Sequence, residues 1–265
     1  MKFLNPERDN LLELSLDDVF IVPTYFDGTS RMDVNLTPVD FGGSSNPIVA
    51  ANMNAVTGKR MAETMARYGG IGVLPQDMDL ATVERIVRHI KQANPIYDTA
   101  LRVTSDATLR DVQGLILKRA HDMVVVVDDD EKPLGIITHA DLREKDQYTP
   151  AAHLMQTRLV TVNAGISNRE AFIEMEQQRV KAAPVVNEAG EIMGVITRDD
   201  AVRMELLSPS LNSKGELMVA AAVGISAQAG EQAAKLVEMG VDVLVLDTAH
   251  GHQRRMLEAL KAVRK

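Results

Sequence analysis

Two pairs of residues carry a hydroxyl and a carboxylate at one spacing: Thr138 with Asp141, and Thr197 with Asp200. A hydroxyl just before a helix accepts from the backbone of the third helical residue, and an acid there bonds back to the cap, so the spacing predicts helix caps. Asp247 closes an apolar run and is followed by Thr248, Ala249, His250, Gly251 and His252. Taken as residues alone, Asp247 is an N-cap for a helix starting near Gly251. The two imidazoles have no third ligand nearby in sequence, so a strand-end loop or cap role suits them better than zinc. Asn52 reads as a turn residue, Met53 as core, and Ser30-Arg31 as a solvated loop. The 265 residues contain no cysteine, which removes thiol nucleophiles, thiolate metal sites and disulfides from this chain.

Composition narrows the partners. With 45% hydrophobic and 25% charged residues the chain is globular rather than disordered or collagen-like. Its 29 basic and 37 acidic residues give a net charge of −8, which argues against a nucleic-acid binder. The start, Met1-Lys2-Phe3-Leu4-Asn5-Pro6-Glu7-Arg8-Asp9, lacks the apolar core of a signal peptide, and no apolar run approaches the roughly 18 residues of a membrane span. The expectation is a cytoplasmic protein with no membrane partner.

The elements that must position these residues fall into two rhythms. Gly135-Ile136-Ile137-Thr138-His139-Ala140-Asp141 aligns with Gly194-Val195-Ile196-Thr197-Arg198-Asp199-Asp200 at an offset of 59 residues, which also pairs Val103 with Val162 and Thr108 with Ser167. Each copy reads strand, helix, strand, turn, strand, helix. In the flanks, apolar runs at 47–51, 71–74, 217–223 and 241–246 are strands. Helical stripes run through Met61, Met65 and Tyr68; Val83, Ile86, Val87 and Ile90; Ala233, Leu236 and Val237; and Met256, Leu257, Leu260 and Val263. Strands that are apolar throughout belong to a parallel sheet covered on both faces. The reading is therefore an α/β domain of residues 1–94 and 207–265, interrupted by a tandem-repeat domain at 95–206. The flanks supply four strand–helix units where a barrel needs eight, so the chain looks like the first half of a barrel with an insert.

Several motifs, in order, resemble the IMP dehydrogenase/GMP reductase family: Leu16-Asp17-Asp18-Val19-Phe20-Ile21-Val22-Pro23, Ser30-Arg31-Met32-Asp33-Val34, Ala51-Asn52-Met53-Asn54-Ala55-Val56, Gly69-Gly70-Ile71-Gly72, Ala221-Ala222-Val223-Gly224 and Asp247-Thr248-Ala249-His250-Gly251-His252. The tandem repeat lies where family members carry two cystathionine-β-synthase (CBS) modules. The resemblance implies a partial (β/α)8 TIM barrel, with ligands at the carboxyl ends of its strands. It places Asn52 and Met53 against a purine nucleotide monophosphate. It places Asp247, Thr248 and Ala249 against a nicotinamide cofactor, with Gln76 beside it and Ser30 and Arg31 reaching a dinucleotide. In CBS modules Thr138, Asp141, Thr197 and Asp200 would bind an adenine or guanine nucleotide effector as well as cap helices. The implied cofactor is NADP(H), with NAD as the alternative, and a monovalent cation such as potassium serves many relatives. A homo-oligomer, tetramer or octamer, is implied for the full-length enzyme.

Two positions depart from the family pattern. Asn54 stands where members usually have Asp, and Leu74-Pro75-Gln76-Asp77 stands where many carry His or His-Lys. The family's chemistry uses a cysteine thiolate that adds to the purine before hydride transfer, and no catalytic residue of that kind is present. The expectation is a GMP reductase-type oxidoreductase (GMP to IMP and ammonia) whose 265 residues alone do not turn over substrate. IMP dehydrogenase, and a non-catalytic nucleotide-sensing CBS protein, are the alternatives.

Overall fold

Short apolar runs separated by amphipathic helices build a parallel sheet. The computed structural model describes residues 17, 19–25, 27–39 and 43–265. Leu16 and Asp18 of the opening motif, and the start at 1–9, lie outside them. The chain divides into residues 1–35 and 36–265. In the first unit, Arg31–Asp33 forms a 3-10 turn closed by Asp33, whose Oδ2 accepts from the Thr29 hydroxyl at 3.1 Å and the Ser30 amide at 3.0 Å.

In the second unit, β1 (Val49–Ala50), α1 (Lys59–Arg67), β2 (Ile71–Leu74) and α2 (Leu80–Gln92) come first. The repeat follows as β3 (Leu101–Thr104), α3 (Leu109–Ile116), β4 (Met123–Val127), β5 (Pro133–Thr138), β6 (Val162–Asn163), α4 (Asn168–Gln177), β7 (Ala182–Val186), β8 (Ile192–Thr197) and α5 (Arg198–Arg203). The flank resumes with β9 (Ala220–Gly224), α6 (Ala229–Glu238), β10 (Val243–Asp247) and α7 (Arg254–Val263). Strands from both flanks join one sheet in the order β1-β2-β9-β10, all parallel. Its side chains alternate between two cores. Leu74, Ala221 and Val223 pack with Val83, Val87, Ile90 and Leu236 of the helices, while Ile71, Val73, Ala220 and Ala222 form the other face with Met218. At Gly72 a Cβ would stand 2.6 Å from the Ala62 Cα, so α1 lies directly on β2.

The repeat holds its register in three dimensions. Thr108 and Ser167 cap α3 and α4 with capping boxes, Thr138 and Thr197 do the same for the 3-10 turn His139–Leu142 and for α5, and the sheets β3-β4-β5 and β6-β7-β8 share a topology. Even the β-bulges match, at Val126/Val127 and Val185/Val186. Each sheet is extended by a crossed pairing. Asp98, ahead of the first copy, pairs with Val195 of the second, and Gln156, ahead of the second, pairs with Ile136 of the first.

Three helical stripes differ from expectation. The α1 helix buries Ala62, Glu63, Ala66 and Arg67, and leaves Met61 and Tyr68 exposed. An ion cluster described below compensates the charges of Glu63 and Arg67, so burial follows pairing rather than hydropathy. On α6 and α7, Val237, Leu257 and Leu260 are exposed, and the buried contact of α7 is Ala259. The small residue fits the close approach of the two helices, marked by Gly230, where a Cβ would meet the Ala262 carbonyl at 3.1 Å.

Candidate functional site

Parallel strands end on one side, so the loops after β1, β2, β9 and β10 converge. The loop after β1 is a tight turn. Buried Thr57 bonds the Ala51 carbonyl through Oγ1 at 2.6 Å, and the amides of Val56 and Thr57 both donate to the Met53 carbonyl. This turn sends Asn52 across the mouth, where its Nδ2 donates to Asp247 Oδ2 at 2.8 Å. The bond joins the ends of the two outermost strands of the sheet. Gln76 reaches the end of β9, its Oε1 lying 2.6 Å from where a Gly224 Cβ would stand, so glycine there makes room for the amide. Met53 is 58% exposed and is not core. Asp247 does not cap α7, which starts at Arg254 after Gln253. Gln253 instead donates through Nε2 to Thr248 Oγ1 and to the His250 carbonyl. Ala249, His250 and His252 are exposed, the two imidazole rings 6.5 Å apart. Ser30 and Arg31 belong to the first unit. The mouth therefore gathers Asn52, Met53, Gln76, Asp247 and Thr248, amide donors beside carboxylate acceptors, a set suited to a ligand rich in hydroxyls.

The departures at 54 and 77 are coupled. Asn54 Nδ2 donates to Asp77 Oδ2 at 2.6 Å. An aspartate at 54 would face that carboxylate with like charge, so asparagine is the matching partner.

A second concavity lies between α1 and the repeat, about 1530 Å³ in volume. Thr138, Thr197 and Asp200 line it. Asp141 accepts from the Thr138 hydroxyl at 2.7 Å and from Gln156 Nε2 at 2.8 Å, while Asp200 caps Thr197 and pairs with Arg203 at 2.9 Å. One wall is an ion cluster absent from the sequence reading. Fully buried Glu63 pairs with Arg67 at 2.6 Å and Arg119 at 2.7 Å, and both arginines also reach Asp98 at 3.1 Å. Thr99 donates its hydroxyl to Glu63, and His89 lies 3.1 Å away. Burial pushes the Glu63 carboxyl up, but the Arg119 hydrogen bond, the Arg67 charge and the Thr99 bond outweigh it and bring it down to about 2. Burial pushes the neighbouring His121 imidazole down; Asp98 and the Thr99 carbonyl oppose this. The i,i+4 spacing of Glu63 and Arg67 was the one signal in the sequence.

A parallel sheet whose strand-end loops meet at one mouth defines an α/β protein of TIM-barrel-like type. The IMP dehydrogenase / GMP reductase domain matches residues 13–265, and the chain belongs to that family. It is 41% identical over 263 residues to GMP reductase of Mycobacterium tuberculosis strain H37Rv, covering 99% of this chain and 54% of the relative. It is 34% identical over 257 residues to the inosine-5'-monophosphate dehydrogenase of Halalkalibacterium halodurans, covering 95% of this chain and 53% of that protein. A crystal structure of GMP reductase from Trypanosoma brucei in complex with guanosine 5'-triphosphate superposes with a TM-score of 0.60 at 34% identity, over 92% of this chain and 61% of that one. A variant of GMP reductase from the same organism, in complex with guanosine 5'-monophosphate, also gives 0.60 at 34% identity, over 92% and 54%. The chain spans about half the length of the curated relatives it matches. Among the described residues, no helix is long and apolar enough to cross a membrane.

Proposed function

We propose that this chain supplies the nucleotide- and cofactor-binding mouth of an oxidoreductase of the GMP reductase type, in which NADPH reduces GMP to IMP with release of ammonia. The observation that carries this reading is the Asn52–Asp247 hydrogen bond, which ties the family motif after β1 to the one ending β10. The 41% identity to a GMP reductase supports the direction. In this reading Asn52 and Met53 meet the nucleotide monophosphate. Asp247, Thr248 and Ala249 meet the nicotinamide ribose, Gln76 flanks the cofactor, and Ser30 and Arg31 reach the dinucleotide. The thiolate of the family's chemistry has no candidate among these residues, so the chain alone binds without turnover. Residues 95–206 form a CBS pair that takes an adenine or guanine nucleotide effector. Residues 1–94 and 207–265 are barrel, and the assembled enzyme is a cytoplasmic homo-oligomer.

Calorimetric titration of the chain with GMP and NADPH tests this. Asp247→Ala is expected to weaken NADPH binding about tenfold, the loss of one charge-assisted hydrogen bond. Unchanged affinity overturns the assignment, and turnover of GMP or IMP by the chain alone overturns the inactivity. The loop after β2 favours a second reading, NAD-dependent oxidation of IMP to XMP, because Gln76 cannot supply a positive charge to a 2′-phosphate and the neighbouring Asp77 carries a negative one. NADH binding more tightly than NADPH would select it, and assay of a full-length homologue with each substrate decides the direction.

A further inference from the structure

Among the described residues, glycines stand in strands at 72, 135, 194 and 224. Packing demands the first three. A Cβ at Gly72 would stand 2.6 Å from the Ala62 Cα, at Gly135 2.8 Å from the Gln156 carbonyl oxygen, and at Gly194 2.7 Å from the Asp98 carbonyl oxygen, all of it backbone that cannot step aside. Gly224, the last residue of β9, is different. Its φ lies outside the left-handed region, and a Cβ there would meet only the end of the Gln76 side chain, Oε1 at 2.6 Å and Cδ at 3.8 Å. Glycine loses more freedom on entering a strand than alanine does. A strand glycine that neither backbone nor packing needs points to the side chain lying over it.

That side chain is aimed and uncommitted. Pro75 before it is buried, and Asp77 after it accepts from Asn54 Nδ2 at 2.6 Å, so the backbone at Gln76 is held on both sides. Asn52, the other amide that crosses the mouth, is bonded to Asp247, whereas the Gln76 amide has no hydrogen-bond partner among the described residues. It offers a donor and an acceptor together. Gly224 is the register partner of Asp247 on β10, one strand spacing of about 4.8 Å away. The free amide therefore lies beside the carboxylate assigned above to the nicotinamide ribose. The cofactor group next to that ribose with both a donor and an acceptor is the ring carboxamide, and two amides pair through both halves.

We propose that Gly224 is a positioning residue and that Gln76, seated over it, reads the carboxamide of the nicotinamide ring. The proposal deepens the cofactor reading given above and rests on it. A methyl group at 224 lifts the Gln76 amide off the end of β9 and away from the ring, while strand and helices stay as they are. The seated amide favours an intact carboxamide over a ring substituent that accepts but cannot donate.

The test is calorimetry on the 265-residue chain with NADPH and with its 3-acetylpyridine analogue, in which a methyl group replaces the carboxamide nitrogen. Wild type is compared with Gly224→Ala, Gln76→Ala and the double variant, each with its thermal unfolding midpoint. Each single variant is expected to weaken NADPH about tenfold, and the double variant to fall within twofold of either, because the glycine acts through the glutamine. Wild type is expected to bind the analogue several-fold more weakly than NADPH, and both single variants to lose that discrimination, a change that general loosening of the fold does not produce. The midpoint of Gly224→Ala is expected to equal or exceed that of wild type. NADPH binding by Gly224→Ala that matches wild type, losses that add in the double variant, or a much lower midpoint overturns the proposal and leaves the cofactor reading standing. No heat from NADPH with wild type overturns the cofactor reading and this proposal with it.

Discussion

Glu63 is a carboxylate with no solvent exposure, held by two arginines, a threonine and a histidine that come from α1, α2, the peptide before β3 and the turn between α3 and β4. Removing one member of a buried ion cluster strands the rest, so Glu63→Gln is expected to cost about 3–5 kcal/mol in urea unfolding. Its carboxyl is lowered from 4.5 to about 2, so the unfolded chain binds the proton more tightly. The associated stability, about 3 kcal/mol, is present above pH 4.5 and lost as pH falls toward 2. Titrating unfolding free energy against pH should show that slope in wild type and lose it in Glu63→Gln. His121, lowered from 6.5, adds a decline of the same sign beginning as pH drops through the ordinary imidazole range. The cluster was only half legible: Glu63 and Arg67 show as a helical pair, but Arg119, Asp98 and Thr99 arrive from elsewhere in the chain, and hydropathy pointed to Met61 and Tyr68 instead. The Asn54–Asp77 bond was illegible for the same reason. Asn54→Asp is expected to destabilise by about 0.5–1 kcal/mol, and Asp77→Lys on that background to restore it, which a double-mutant cycle measures.

Among elements, the repeat was the most legible because its signal is relative. A fixed offset aligns strands, caps and bulges without any propensity being right. The flanking strands were found but not bounded: the run at 47–51 pairs over Val49–Ala50 only, and the run at 217–223 enters the sheet at Ala220, since hydrogen bonding to a neighbour rather than apolarity ends a strand. The two copies differ at one turn. Gly190 adopts φ +82°, and its counterpart Glu131 adopts φ +58°, a conformation costly for a residue with a Cβ. The side chain of Glu131 contributes an exposed pair with Arg102 at 2.7 Å, worth little in water. Its backbone carbonyl, which accepts from Ile192 at 2.9 Å, survives substitution. Glu131→Gly is therefore expected to raise stability by about 0.5–1 kcal/mol, seen as a higher midpoint in thermal unfolding.

Across residues 36–265, the four strand–helix units were countable from apolar runs, whereas the mouth was not, because Asn52 and Asp247 are 195 residues apart and meet only once both flanks share a sheet. The same sheet leaves β1 and β10 as edges, and α7 presents Leu257 and Leu260 at 58% and 38% exposure. Open parallel edges beside exposed leucines favour self-association. Sedimentation of the 265-residue chain is expected to show species larger than a monomer, shifting toward monomer in Leu257→Glu/Leu260→Glu. A wild-type chain that stays monomeric at micromolar concentration contradicts this.

The crossed pairing of Asp98 with Val195 and of Gln156 with Ile136 means that each copy leans on the peptide that introduces the other. Tyr97 extends the exchange by sitting in the core of the second copy, where its hydroxyl accepts from the Gly165 amide at 3.2 Å. Neither copy, expressed separately with its own leader, would carry the strand that borders it here.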